Sequence, residues 1–159
     1  MPRPIARFFR PVFFALFALG SLTARPAEEA KKEGGAVLFE GENLVVLKHA
    51  GRTQPQEMRP FGEGGWSGNA QLWWAGAKPG DALDVALPVA AAGTYRIGAG
   101  LTKAPDYGIF DIALDGKKIA GPLDFYNETV AHSGMTARAR IPRRGMGAST
   151  CRIRSLEPS

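Results

Sequence analysis

Large apolar residues fall on every second position along three consecutive stretches of this chain, and that alternation most narrows what it can build. In DALDVALPV, Leu83, Val85 and Leu87 alternate with Ala82, Asp84 and Ala86. In TYRIGAGLT, Tyr95, Ile97, Ala99 and Leu101 share one side; in YGIFDIALDGKKI, so do Phe110, Ile112 and Leu114. Strand side chains point alternately to two faces, so each stretch predicts a strand with one face buried. Turn residues punctuate the runs: AGAKPGDA, Ala91-Ala92-Gly93 and KAPD. Asp115-Gly116 suits a two-residue hairpin turn, whose central residues need positive φ. Upstream, AVLFE and NLVVLKH read as two strands split by Gly41-Glu42, and QLWW as a short aromatic strand. No amphipathic helix pattern occurs between residues 36 and 137. Strands at roughly ten-residue spacing predict an all-β sandwich or barrel.

Composition agrees. Gly 20 and Pro 12 in 159 residues, without a collagen-like period, suit short strands joined by turns. Residues 49–70 are Gly- and Pro-rich, and a loop of that length is often functional. The net charge of +5 is concentrated at the ends, in Arg3, Arg7, Arg10 and Arg25 and in Arg138, Arg140, Arg143, Arg144, Arg152 and Arg154. With a near-neutral middle and no recognition-helix pattern, nucleic-acid binding is not expected. Cys151 is the one cysteine, so no intrachain disulfide is possible.

Residues 1–24 have the order of a secretory signal: basic MPRPIARFFR, apolar PVFFALFALGSL, then the small residue of Thr23-Ala24. Arg10 and Arg25 bracket residues 11–24, short of the about 20 apolar residues of a spanning helix. Membrane attachment would follow only from an uncleaved signal. The expected organisation is a signal peptide at 1–24, a polar linker at 25–35, a β-sandwich module at 36–137, and a basic, irregular tail at 138–159. The expected location is secreted or periplasmic.

The body resembles a known class of module. FEGENL resembles the opening strand of galactose-binding-like β-sandwich modules such as carbohydrate-binding module families 6 and 35. GGWSGNAQLWW, the Gly80-Asp81 turn, GTYRIGAGLTKAPDYGIFDIALDGKKI and LDFY resemble the accessory β-sandwich domain found beside family 172 glycoside hydrolase catalytic domains. The resemblance covers about residues 37–135. It implies a jelly-roll sandwich with an extracytoplasmic, carbohydrate-linked role. The family pattern continues after Ala131 with two further strands and a closing apolar strand. Here the chain reads SGMTARARIPRRGMGASTCRIRSLEPS, where Arg interrupts the alternation and only CRIRSL could close the sheet. The carboxyl end therefore reads as a shifted or truncated frame.

Three groups are candidate sites. Trp66, Trp73, Trp74, Tyr107, Phe125 and Tyr126 could include a sugar platform, since flat rings with a polar handle stack on apolar sugar faces. The competing reading is core packing. Trp73 and Trp74 are adjacent, so one faces in and one out; Trp66, in the Gly-rich loop, is the ring expected to be exposed. Lys103, Asp106, Tyr107 and Asp111 form the second group, polar side chains that could bond sugar hydroxyls or only stabilise a turn. The candidate ligand set is Trp66, Trp74, Lys103, Asp106, Tyr107 and Tyr126. Third, Glu40 and Glu42 would share a face in a regular strand and could hold a structural calcium ion, as acidic residues near this strand do in the related modules. Solvated surface carboxylates are the plainer reading.

No motif for metal-dependent, serine-nucleophile or nucleotide chemistry occurs, and His49 and His132 lack metal-ligand spacing. The expected function is an exported, non-catalytic carbohydrate-binding-like module. The alternative is a structural or interaction domain derived from a larger hydrolase, with a protein partner and no ligand of its own.

Overall fold

The period-two stretches become long antiparallel strands. The computed structural model describes residues 31–33, 36–62, 64–89, 91–141 and 148–157. Its strands are β1 (Lys31–Glu33), β2 (Ala36–Leu38), β3 (Val46–His49), β4 (Arg52–Glu57), β5 (Ala70–Ala75), β6 (Ala82–Leu87), β7 (Gly93–Lys103), β8 (Ile109–Leu114), β9 (Lys117–Asp124), β10 (Ala131–Ile141) and β11 (Ser149–Glu157). Three short 3-10 turns, Gly41–Asn43, Arg59–Phe61 and Ser67–Asn69, are the helical elements among these residues. The expected signal peptide lies outside the described residues.

One sheet has five strands in the order β3-β6-β11-β8-β9. Two ribbons, β4–β5 and β7–β10, pack on its inner face. Leu114 of β8, Ala139 and Ile141 of β10 form a buried cluster, against which Leu87, Tyr95, Ile97, Ile119 and Cys151 pack. Trp74 of β5 lies 5.9 Å from Phe110 of β8, ring centre to ring centre, and Phe110 stacks on Phe125 at 5.4 Å. The two layers and their shared core give a β-sandwich-like, all-β body. The β8–β9 hairpin turns at Asp115-Gly116, both at positive φ (49° and 82°), as the dipeptide predicted.

Several expected boundaries are corrected. The irregular tail expected at 138–159 is instead the end of β10 and the whole of β11. Along β10 exposure alternates without a break, with Ala137, Ala139 and Ile141 inward and Arg138 and Arg140 outward. The arginines are the solvent half of a regular strand; small alanines on the other half hid its apolar face. CRIRSL forms the centre of the five-stranded sheet, pairing with β6 on one side and β8 on the other. Its Cys151 and Ile153 stand opposite the inward Leu114 and Ile112, and Arg152 and Arg154 take the outer face.

Two smaller corrections concern loops. Within residues 49–70, β4 pairs with β5 from Arg52↔Ala75 to Glu57↔Ala70 despite Pro55. β4 pairs with β5 alone, so a residue without an N–H is accommodated on its open side. Part of the expected linker also pairs, Lys31–Glu33 with Ala36–Leu38; its other residues are outside the described ones.

Candidate functional site

The ends of β4, β7 and β9 and the starts of β5, β8 and β10 meet at one end of the sandwich. Three loops collect there. The β7–β8 connection carries Asp106 and Tyr107 just after Lys103. The β9–β10 connection carries Tyr126 and Asn127. Backbone bonds lock these two together: Ala104 N–H donates to the Phe125 carbonyl at 3.0 Å, and Asn127 N–H donates to the Ala104 carbonyl at 3.2 Å. Ala104 and Tyr126 form a parallel bridge. The Asp124 carboxylate accepts from Tyr126 N–H at 2.8 Å, leaving the Tyr126 ring 47% exposed.

The third loop links β4 to β5. Met58, 1% exposed, is its anchor, and its N–H donates to the Asn69 carbonyl at 2.8 Å. At its start, Arg59 donates to both Glu57 oxygens at 2.8 and 2.7 Å, which holds that exposed carboxyl down to about 2. The loop carries Trp66 across to the β7–β10 ribbon, where the indole Nε1–H donates to Thr102 Oγ1 at 2.7 Å. His132, the cross-strand partner of Thr102, meets the Trp66 ring edge-on at 6.3 Å. Trp66 is thus half-buried and oriented. Gln71 at the start of β5 donates to Gln56 Oε1 at 2.7 Å and to the Tyr107 hydroxyl at 3.2 Å. Burial pushes the Tyr107 phenol up, against the opposing pull of the Gln71 bond.

Five of the six candidate ligand residues therefore belong to this end: Trp66, Lys103, Asp106, Tyr107 and Tyr126. Trp74 does not. It turns inward against Phe110, and its Nε1–H donates to the Ala50 carbonyl at 2.6 Å. The outer ring of the adjacent pair is Trp73, whose face lies 6.0 Å from the Arg52 guanidinium. Asp111 is also absent from this end; it sits on the outer face of the five-stranded sheet, paired with Lys118.

The acidic pair is corrected as well. Glu40 precedes, and Glu42 lies within, the 3-10 turn Gly41–Asn43, so they do not share the face of a regular strand. Ser67 Oγ donates to Glu40 Oε2 at 2.7 Å, and a Cβ on Gly68 would lie 3.3 Å from Glu42 Oε1. Both carboxylates adjoin the loop behind Trp66. Among the described residues, no group of three or more His, Cys, Asp or Glu side chains gathers to hold a metal ion. No described helix is long and apolar enough to cross a membrane.

The outer face of the five-stranded sheet is a ladder of charge. Arg152 grips Asp84 through two bonds of 2.7 Å. That guanidinium, with a smaller contribution from the charge of Lys48, holds the Asp84 carboxyl below its ordinary value. Gln56, Gln71, Thr102 and His132 were not legible as site residues. Each contributes through a partner distant in sequence, and no local pattern marks such pairs. Compared with known proteins, the chain matches no family model and no curated protein.

Proposed function

We propose that this chain is an exported, non-catalytic carbohydrate-binding module of the jelly-roll, galactose-binding-like type. The observation that carries the reading is the gathering of Trp66, Lys103, Asp106, Tyr107 and Tyr126 from three loops onto one end of a β-sandwich-like body. Rings with polar neighbours held by a rigid scaffold are what sugar recognition needs: apolar ring faces stack, and hydroxyls find donors and acceptors. Export is inferred from the basic–apolar–small order of residues 1–24. The resemblance to the accessory domain of family 172 glycoside hydrolases points the same way.

Affinity electrophoresis against a panel of soluble polysaccharides tests the reading. At least one polysaccharide should retard the protein, and Tyr126→Ala should weaken that retardation while leaving the thermal midpoint unchanged. Free migration through every polysaccharide would overturn it.

A second reading, an interaction domain derived from a larger hydrolase, is favoured by one observation. Val37, Leu38, Val45 and Leu47 are 47 to 65% exposed on β2, β3 and the segment between them. Under that reading the purified protein self-associates, and Val45→Ser with Leu47→Ser returns it to a monomer in analytical ultracentrifugation. A glycan-binding monomer that these changes leave unaltered counts against it.

A further inference from the structure

The outward face of the β7–β10 ribbon has two properties that its own fold does not call for. The first is electrostatic. In the ribbon's register Arg96 stands directly opposite Arg138, and Arg140, opposite Thr94, is the next outward residue. All three arginines are exposed, and among the described residues none has a carboxylate partner. Like charges directly opposite across a strand pair are unfavourable. Three guanidinium groups gathered on one face form a fork-shaped receptor for oxyanions.

The second property is steric. Between the arginines and the Trp66–His132 contact, the outward residues are Gly98, Gly100, Gly134 and Thr136, paired as Thr136↔Gly98 and Gly134↔Gly100. Gly98 and Gly134 do not need their conformational freedom, because the backbone there is ordinary strand, whereas a Cβ on Gly100 would lie 3.0 Å from His132 Nε2, so that glycine makes room for the imidazole. A Cβ on Gly98 would find its nearest atom at 3.8 Å, and one on Gly134 at 3.6 Å, both ordinary contacts. Glycine weakens a strand interior, and where the backbone does not require it, it marks a close approach by something else. Bare backbone at Gly98 and Gly134 thus floors the middle of a trough of about 27 Å between outward positions 132 and 140, at the usual rise per residue. Trp66 closes one end and the arginines line the other.

We propose that this trough binds an acidic polysaccharide laid along the ribbon. Its rings rest on the glycine floor, and its carboxylate or sulfate groups are held by Arg96, Arg138 and Arg140. The inference rests on the carbohydrate-binding reading and names the class of glycan. A glycan is favoured over a single-stranded nucleic acid because, between the Trp66–His132 contact and the arginines, the outward face carries no ring on which successive bases could stack.

Isothermal titration of the purified protein uses four probes: polygalacturonate and heparin as carboxylated and sulfated glycans, dextran as a neutral glycan, and oligo-dT as a polyanion that is not a glycan. At least one acidic glycan should bind, and whichever binds tighter identifies the anionic group. Arg138→Ala with Arg140→Ala should weaken it about tenfold or more. Gly98→Val with Gly134→Val should abolish binding by filling the floor while retaining the thermal midpoint. Arg154→Ala, the loss of one positive charge on the opposite sheet, should alter nothing. Acidic-glycan binding that neither paired variant changes would overturn the proposal. So would oligo-dT binding as tightly as the glycans. Dextran bound as well as the acidic glycans, with no dependence on the arginines, would sink the trough and leave the carbohydrate reading standing. No binding of any glycan would sink both.

Discussion

Arg152 and Asp84 carry much of the outer face of the five-stranded sheet. The Asp84 side chain is 8% exposed and that of Arg152 is 41%. Truncating Arg152 leaves a nearly buried carboxylate without its two charged bonds, whereas replacing both partners removes the need for them. Arg152→Ala should cost about 2–3 kcal/mol in urea unfolding, and Asp84→Val with Arg152→Val should recover most of that loss. The pH dependence follows from the direction of the shift. Arg152 lowers the Asp84 carboxyl from its ordinary 3.8. The stabilisation is therefore complete above that value and is lost as pH falls from there through the lower folded value. The stability gap between the wild type and the double valine variant should be constant near neutrality and close in acid. Cys151 gives a second check at this scale. Burial first, and then the charge of Asp84, push its thiol up to about 11. A disulfide reagent at mildly alkaline pH should modify it slowly in the native protein and rapidly in urea.

Strands explain which parts of the fold could be read in advance. β6, β7 and β8 were legible because Leu, Val, Ile and aromatic residues mark their inward positions. β10 was not, because on its inward side Ala131, Ser133, Ala137 and Ala139 dilute the signal of Met135 and Ile141, while its outward side carries conspicuous arginines. β11 was legible only as the one segment, CRIRSL, that could close the sheet: Cys151, Ile153 and Ser155 are a sparse inward set, and the strand gains its place from neighbours on both sides. The candidate end was partly legible through its aromatic residues. The bonds that orient them, Trp66 to Thr102 and Gln71 to Tyr107, join separate loops and have no local signature. Two predictions belong here. Ending the chain after Ile141 removes the strand between β6 and β8 and should abolish the cooperative thermal transition in circular dichroism. Arg138→Glu converts a like-charge pair with Arg96 into an attractive one. It should raise stability by roughly 0.2–1 kcal/mol while removing acidic-glycan binding, as expected where a site is kept at the expense of stability.

At the scale of the whole molecule, the two layers present different outer surfaces. The five-stranded sheet shows neutralised charge, with Arg152 on Asp84 and Lys118 on Asp111. The β7–β10 ribbon shows bare backbone and unneutralised arginine, and leads toward the loop end where Trp66 and Tyr126 lie. The first surface carries internal ion pairs, whereas the second is suited to a ligand that supplies negative charge and flat rings. The most direct test is a map of backbone and indole amide chemical shifts as an acidic oligosaccharide is titrated into the labelled protein. Progressive shifts are expected at Gly98, Gly100, Gly134, Thr136, Arg138 and Arg140 and at the Trp66 indole N–H, with the outer face of β6 and β11 unmoved. Shifts confined to the Asp84–Arg152 face, or no shifts at saturating oligosaccharide, would contradict the acidic-glycan reading.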